Sequence, residues 1–369
     1  MIKILFSEKP AVVIQVVNES AVFDKLEKEN INYRIIGTLS EKREFIVNFR
    51  NEVLDVDIDA YRDIWFKTSY LLDKNQSGEE LALERYQHYK VQPLTFSFMA
   101  GFTGQVKQYA INFEKRTSSG IKAAIIREKG VNGDREMAYS LHLAGFDVKD
   151  VHMTDLVSGR ETLQDIHFIV FVGGFSNSDV MGSGKGWAGA FLYNPKAKQA
   201  LDDFYERQDT LSLGVCNGCQ LMTELNLIYP EYNDPVRMAV NDSGKFESKF
   251  LNVRIFENHS VMLSSLEGAE LGIWVAHGEG KFQLPLEESD YSIPMKYSHH
   301  TYPGNPNGSD YDAACIASPD GRHLAMMPHI ERSIFPWQWA HYPDENNHNE
   351  ISPWMEAFVN AREWIKKNS

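Results

Sequence analysis

The sequence predicts an α/β fold, a mostly parallel sheet flanked by helices with added β-hairpins, preceded by a small α+β domain. Two observations carry this expectation. From Ile121 onward, short runs that are almost wholly apolar, "IKAAIIRE", "HFIVFVGGF" and "TLSLGV", alternate with amphipathic helical stretches such as "NGDREMAYSLHLAGF". Strands apolar on both faces belong in a parallel sheet covered by helices. Before Ile121 the pattern differs: brief strand-like runs and one short helix are separated by turn residues, and a long helical stretch follows. At 369 residues the chain exceeds one typical core, so two domains are expected.

Taken in order, "AVVIQVV" (11–17) reads as a strand, "NESAVFDKLEKEN" (18–30) as a short helix, and "NYRIIGTL" (32–39) and "REFIVNF" (43–49) as two more strands. A helical region starts near Asp57 and includes "AYRDIWFKTSYLLD" and "GEELALERYQHYK". Residues 91–120 read as a linker. The sheet region then supplies strands at "IKAAIIRE", "DVKDVHM", "HFIVFVGGF" and "TLSLGV", with the helix "NGCQLMTELN" after the last. Beyond residue 240 come "ESKFLNVRIFE", "LGIWVAHGEGKFQL" and the hairpin "AACIASPDGRHLAMM". A helix, "SPWMEAFVNAREWIKKN", closes the chain, with Ser352 as expected N-cap and Pro353 at the first helical position.

Acidic residues outnumber basic ones, 51 to 37, and the net charge of -14 repels phosphate backbones, so nucleic acid is not an expected partner. No apolar run approaches the roughly 20 residues that span a bilayer, and "MIKILFSEKPAVV" lacks the build of a signal peptide. Three cysteines are too few for a disulfide framework. The chain therefore reads as cytoplasmic, with reduced thiols and no membrane partner.

Two of the cysteines fall in "GVCNGCQLM", Gly214 to Met222, where a strand feeds a helix at the carboxyl edge of the expected sheet. That edge is where α/β folds bind ligands. Zinc needs four ligands; Cys315, inside a predicted hairpin strand, has no cysteine partner nearby, and His299-His300, which could be ligands, fall in a Tyr/Pro loop where adjacent histidines are usually just exposed, so no metal is assigned. A Cys-x-x-Cys redox pair fits the spacing but leaves the flanking glycines unexplained. A buried helix start with an inert thiol is the bland alternative. The nucleophile reading uses every residue: Gly214-Val215-Cys216-Asn217-Gly218 is G-x-C-x-G, the thiol version of a nucleophile elbow. Unpaired N–H groups at the start of the helix at Asn217 favour a thiolate and can hold an oxyanion. Gln220, one turn on, is expected to face the same pocket.

A nucleophile needs a base and something to orient it. His-x-Glu occurs twice, as His277-Gly278-Glu279 in a glycine-flanked loop and as His329-Ile330-Glu331 just after the apolar strand "LAMM". Two residues along an extended strand end share one face, which favours His329 modestly. "GGFSNSDVMGSGKGW" tempts a phosphate-loop reading, but that pattern needs Gly where Asp179 stands and Ser or Thr where Gly186 stands. Gly173-Gly174 suits instead a backbone N–H donated to an oxyanion.

"GVCNGCQ", "GGFSNSD" and "MMPHIER", in that order, resemble a class I glutamine amidotransferase domain. Together with "AHGEGKF", "YPGNPNGS" and "SPWMEAFVNARE", they resemble the C-terminal glutaminase of the large single-chain phosphoribosylformylglycinamidine synthases of purine biosynthesis. The resemblance implies the class I amidotransferase fold for 121–369. "IWFKTSYLLDKN" is similar to the part that precedes the glutaminase, which makes 1–90 an aminoimidazole ribonucleotide synthetase-like remnant. It also implies Cys216 as nucleophile, His329 as base and acid, Glu331 as its orienting carboxylate, and Gly173, Gly174, Asn217 and Gln220 as glutamine or oxyanion contacts. His277 and Glu279 match a loop beside the site. Ile330 stands where the family usually has proline, whose ring would stiffen the turn.

The implied reaction hydrolyses L-glutamine to glutamate and ammonia, the ammonia passing to a second site that converts formylglycinamide ribonucleotide to the amidine. No cofactor is expected in this chain; ATP and Mg²⁺ are expected in the full synthase. The stretch upstream of the glutaminase is too short to hold that ATP-using body, so the chain is expected to be a C-terminal fragment whose partners are the other synthase domains. A non-catalytic docking role and a different cysteine hydrolase are the alternatives.

Overall fold

The structure, a computed structural model, describes residues 2–113 and 117–368. The chain divides into two units, Met1–Leu71 and Leu72–Ser369. The first holds a helical turn α1 (Ile2–Leu5), a helix α2 (Glu19–Lys28) and an antiparallel hairpin of β1 (Glu44–Phe49) and β2 (Glu52–Asp57). Asn18 caps α2 by accepting the Ala21 N–H at 3.1 Å. This is the α+β character expected, but 11–17 and 32–39 are not strands. A strand exists only as half of a ladder, and none reaches these segments among the described residues. Val12, Val13, Ile35 and Ile36 are exposed there.

Helix α3 (Ile58–Ser77) runs across the division, and α4 (Glu79–Gln87) follows in the second unit. The division thus falls well before residue 90. The described part of the expected linker is stitched down rather than loose: Ser97 and Glu270 exchange backbone hydrogen bonds of 2.9 and 2.8 Å, and Gly104 O accepts from Glu350 and Ile351. A segment laid over other structure must pair its backbone.

The central sheet uses β3 (Lys122–Arg127), α5 (Asp134–Ala144), β4 (Asp147–His152), α6 (Met153–Ser158) and β5 (Phe168–Phe171) in succession. Then come α7 (Lys185–Leu192), α8 (Pro195–Glu206), β6 (Leu211–Val215) and α9 (Asn217–Glu224). β7 (Arg237–Ala239), β8 (Glu247–Ile255), β9 (Glu270–His277), β10 (Lys281–Gln283) and β11 (Met295–Tyr297) make smaller antiparallel sheets, in which β8 lies between β11 and β9. The hairpin β12 (Cys315–Ala317) and β13 (His323–Met326) returns to the large sheet, whose order is β12-β13-β6-β5-β3-β4, with every pairing parallel except β12 to β13.

Every residue of β5 and β6 is buried, the physical counterpart of the wholly apolar sequence of β5 and of a β6 whose one polar side chain, Ser212, is hydrogen-bonded to Tyr205 and His323. Burying each large side chain contributes roughly 1.5–3 kcal/mol. Asn194 caps α8 through the Ala197 N–H, with Pro195 at its first position. The terminal helix α10 (Met355–Asn368) starts later than expected. Ser352 Oγ accepts the Trp354 N–H at 3.3 Å and donates to Ser333 O, so a turn intervenes before the helix proper.

Candidate active site

Three adjacent parallel strands, β5, β6 and β13, deliver Gly173, Cys216 and His329 from their carboxyl ends. Cys216 lies one residue past β6 at φ 51°, ψ -106°, as the N-cap residue of α9. A non-glycine residue held there costs about 1–3 kcal/mol and persists only when its surroundings impose it. The flanking glycines are part of that frame. A Cβ on Gly214 would meet Gly218 O at 2.6 Å, and one on Gly218 would meet Phe171 O at 1.9 Å. The Cys216 thiol donates to Ala276 O at 3.4 Å, and its backbone N–H donates to Met326 O at 2.9 Å.

His329 is buried beside Cys216, and its Nδ1 lies 2.7 Å from Glu331 Oε1. The pair does not share a strand face as expected. It spans a turn, with His329 at φ -92°, ψ 91° and the 3-10 helix Ile330–Arg332 bending the carboxylate back onto the ring. Ile330 is fully buried, so packing holds this turn. The His329 N–H donates to Trp274 O at 2.8 Å, which ties the base to β9. Burial pushes the imidazole down, but Glu331 and Cys216 outweigh it and hold the group at about 9.

A Cβ on Gly173 would sit 2.7 Å from His329 Cε1 and 3.4 Å from Cys216 Cβ, so Gly173 borders the gap between His329 and Cys216. Gly174, at φ 144°, is bridged to Val131, and Gly173 O accepts from Asn132 and Gly133. Asn217 and Gln220 are buried and already engaged. Asn217 Oδ1 accepts from Ser176 N at 3.0 Å, its Nδ2 donates to Gln220 Oε1 at 2.9 Å, and Gln220 Nε2 donates to Glu279 O at 2.7 Å. Both side chains therefore join loops around the elbow.

His277, at the end of β9, is buried, and burial with the charge on His329 pushes it down to about 3. It is the neutral histidine of the pair. Glu279 Oε2 accepts from Ser183 N at 3.3 Å, just after the "GGFSNSD" stretch in which Asn177, Ser178 and Asp179 all take positive φ. Burial raises the Asp179 carboxyl above its usual range. Two contributors escaped sequence reading: the Ala276 carbonyl, which no side-chain pattern signals, and Asn241, visible only as a turn residue in "NDSG". A cleft of about 400 Å³ opens beside His329, lined by Trp274, Ala276, Arg332 and Trp337 among others. Cys219 is sealed inside α9, and burial drives its thiol well above the usual range. All three cysteines are free.

Residues 120–365 match the CobB/CobQ-like glutamine amidotransferase domain. The chain belongs to this family. Relatives along the whole chain are a probable phosphoribosylformylglycinamidine synthase, chloroplastic/mitochondrial, from Arabidopsis thaliana, 37% identical over 98% of this chain and 27% of its own length. A phosphoribosylformylglycinamidine synthase from Homo sapiens is 36% identical over 100% of this chain and 30% of its own. The chain thus spans less than a third of these relatives. The structure of PurLQS from Thermotoga maritima covers 66% of this chain and 98% of that one at 22% identity and a TM-score of 0.51, a likeness of fold. The amidotransferase domain is mixed α/β with a mostly parallel central sheet, as expected. Among the described residues no helix is long and apolar enough to cross a membrane.

Proposed function

We propose that the amidotransferase domain hydrolyses L-glutamine through Cys216, His329 and Glu331. The observation that carries this reading is the buried His329–Glu331 contact of 2.7 Å beside a cysteine held at φ 51° on the sheet edge. His329, held at about 9, is expected to keep a proton beside the attacking sulfur. The sulfur attacks the side-chain carbonyl carbon of glutamine, and the C=O electron pair moves onto oxygen. Backbone N–H groups at Gly173-Gly174 and Asn217 are the proposed oxyanion donors, each worth about 10²–10³ in rate. His329 gives its proton to the departing nitrogen, the C–N bond breaks, and ammonia leaves a γ-glutamyl thioester on Cys216. The neutral imidazole then takes a proton from water, whose oxygen displaces the sulfur as glutamate forms. Glu331 keeps the ring oriented through Nδ1. Asn217, Gln220 and His277 hold the frame in which this happens.

We further propose that the ammonia serves the conversion of formylglycinamide ribonucleotide to its amidine, in partnership with synthase domains such as those in the much longer relatives. ATP and Mg²⁺ belong to that acceptor site. The Gly184-Lys185 stretch does not fit a phosphate loop, because Lys185 opens α7 and is followed by Gly186. Three free, buried thiols are compatible with a reducing compartment such as the cytoplasm.

The test is intact mass after incubation with a diazoketone analogue of glutamine. A single adduct that is blocked by glutamine, survives Cys219→Ala and disappears with Cys216→Ala supports the reading. An adduct on Cys219 would overturn it.

A further inference from the structure

The loop that follows β9 is the piece on which the elbow rests. Ala276 O receives the Cys216 thiol at 3.4 Å, Glu279 O receives the Gln220 amide at 2.7 Å, and Glu279 Oε2 receives Ser183 N at 3.3 Å. What fixes this loop is Asn241. Its Nδ2 donates to His277 O at 2.8 Å, its Oδ1 accepts the Gly280 N–H at 2.9 Å and faces His277 Nδ1 at 3.2 Å, and its own N–H donates to Gly278 O at 2.9 Å. The same Nδ2 also donates to Lys245 O at 3.0 Å, closing the turn 241–245, within which Gly244 N donates to Asn241 O.

Lys245 is anchored from outside the amidotransferase match. Its Nζ lies 2.6 Å from Oδ1 of Asp73, a buried carboxylate near the end of α3. Asp73 also accepts from Ser77 Oγ at 2.9 Å and from Arg85 of α4 at 3.1 Å. These groups lie in the same compact unit as Cys216. A buried carboxylate with three donors has a fixed position, because leaving any partner unpaired there is expensive.

We propose that Asp73 is a positioning residue for the nucleophile, acting through Lys245 and Asn241 on the 276–280 loop that receives the Cys216 thiol. Nothing in the family match reaches residue 73, since it begins at residue 120. The consequence is that the helical segment upstream of the amidotransferase domain sets the order of its active site. A partner engaging α3 or α4 could raise or lower glutamine hydrolysis by shifting one ion pair. The statement about hydrolysis rests on the function proposed above; the statement about Cys216 does not.

The experiment therefore reads the thiol directly. The full chain and its Asp73→Asn, Lys245→Met, Lys245→Arg and Asp73→Asn/Lys245→Met forms are treated with iodoacetamide, and labelling of Cys216, Cys219 and Cys315 is followed by peptide mass. Glutamine turnover is measured on the same samples. Release of the loop uncovers Cys216, so its labelling is expected to rise at least about fivefold in Asp73→Asn and Lys245→Met, with Cys219 and Cys315 still silent. The kcat/KM for glutamine is expected to fall about tenfold. Lys245→Arg should restore both, and the double form should resemble either single one, as members of one chain do. Cys216 labelling within twofold of wild type in both single forms would overturn the proposal. So would labelling of all three cysteines together, which marks loss of the fold. If the wild-type chain neither hydrolyses glutamine nor takes up the diazoketone, the functional reading falls alone, and the iodoacetamide rates still decide this one.

Discussion

His329 Nδ1 lies 2.7 Å from Glu331 Oε1, with both side chains buried and a single residue, Ile330, between them in the chain. The 3-10 turn at Ile330–Arg332 makes that contact possible. The carboxylate fixes the ring tautomer and stabilises the imidazolium. Replacing Glu331 with Gln is expected to lower glutamine turnover by about 10²–10⁴-fold with little change in KM, measured by steady-state kinetics.

The same pair carries a pH signature. The folded imidazole titrates at about 9, against a usual value of 6.5, so the folded state holds the extra proton between them. The stability this contributes is complete below pH 6.5 and is lost as pH rises through 9. Denaturant midpoints should fall across that window in wild type and change less in Glu331→Gln.

Burial acts in the opposite sense on His277 and His323, held down to about 3 and about 4. An unfolded chain takes up these protons near pH 6.5, so the stability is full above that value and lost as pH falls through 4 and then 3. His323→Gln should therefore move the acid unfolding midpoint to lower pH, and an unchanged midpoint would count against neutral burial of that ring.

Gly173 and Gly218 separate function from fold. Ala at 218 would press on the Phe171 backbone at 1.9 Å, and about 3 kcal/mol or more of stability should be lost. Ala at 173 would meet the His329 ring at 2.7 Å instead, displacing the base. Glutamine turnover should fall about 10²-fold while the thermal midpoint stays within about 4 °C of wild type.

Ile330 offers a test of how the base is held. His329 sits at φ -92°, ψ 91°, away from the helical region that a following proline disfavours. Ile330→Pro should leave turnover within about threefold and cost about 1–3 kcal/mol, because buried methyl groups are removed from a packed position. Loss of activity out of proportion to stability would show that the side chain, not the turn, orients the pair.

The sheet, the elbow and the chemistry of its neighbours were legible because each is local. Almost wholly apolar runs mark β5 and β6, and G-x-C-x-G marks a turn in which two Cβ atoms have no room. The apolar runs at 11–17 and 32–39 read as strands for the same local reason and are not, since propensity cannot supply a pairing partner. Within the expected linker, Ser97 pairs with Glu270, far along the chain, and nothing in 91–120 announces that contact.

The sequence by itself singled out the candidate residues: a cysteine between glycines, a histidine and a carboxylate with one residue between them, and a glycine pair at a strand end. The tertiary structure alone decided how they are held. It closed Glu331 onto His329 through a turn rather than a strand, engaged Gln220 and Asn217 with loops, and connected Asp73 to the Cys216 loop through Lys245 and Asn241. The reason is physical. Local sequence sets backbone preference and side-chain type, whereas orientation and proton affinity inside a fold come from burial and from charges contributed by residues distant in the chain.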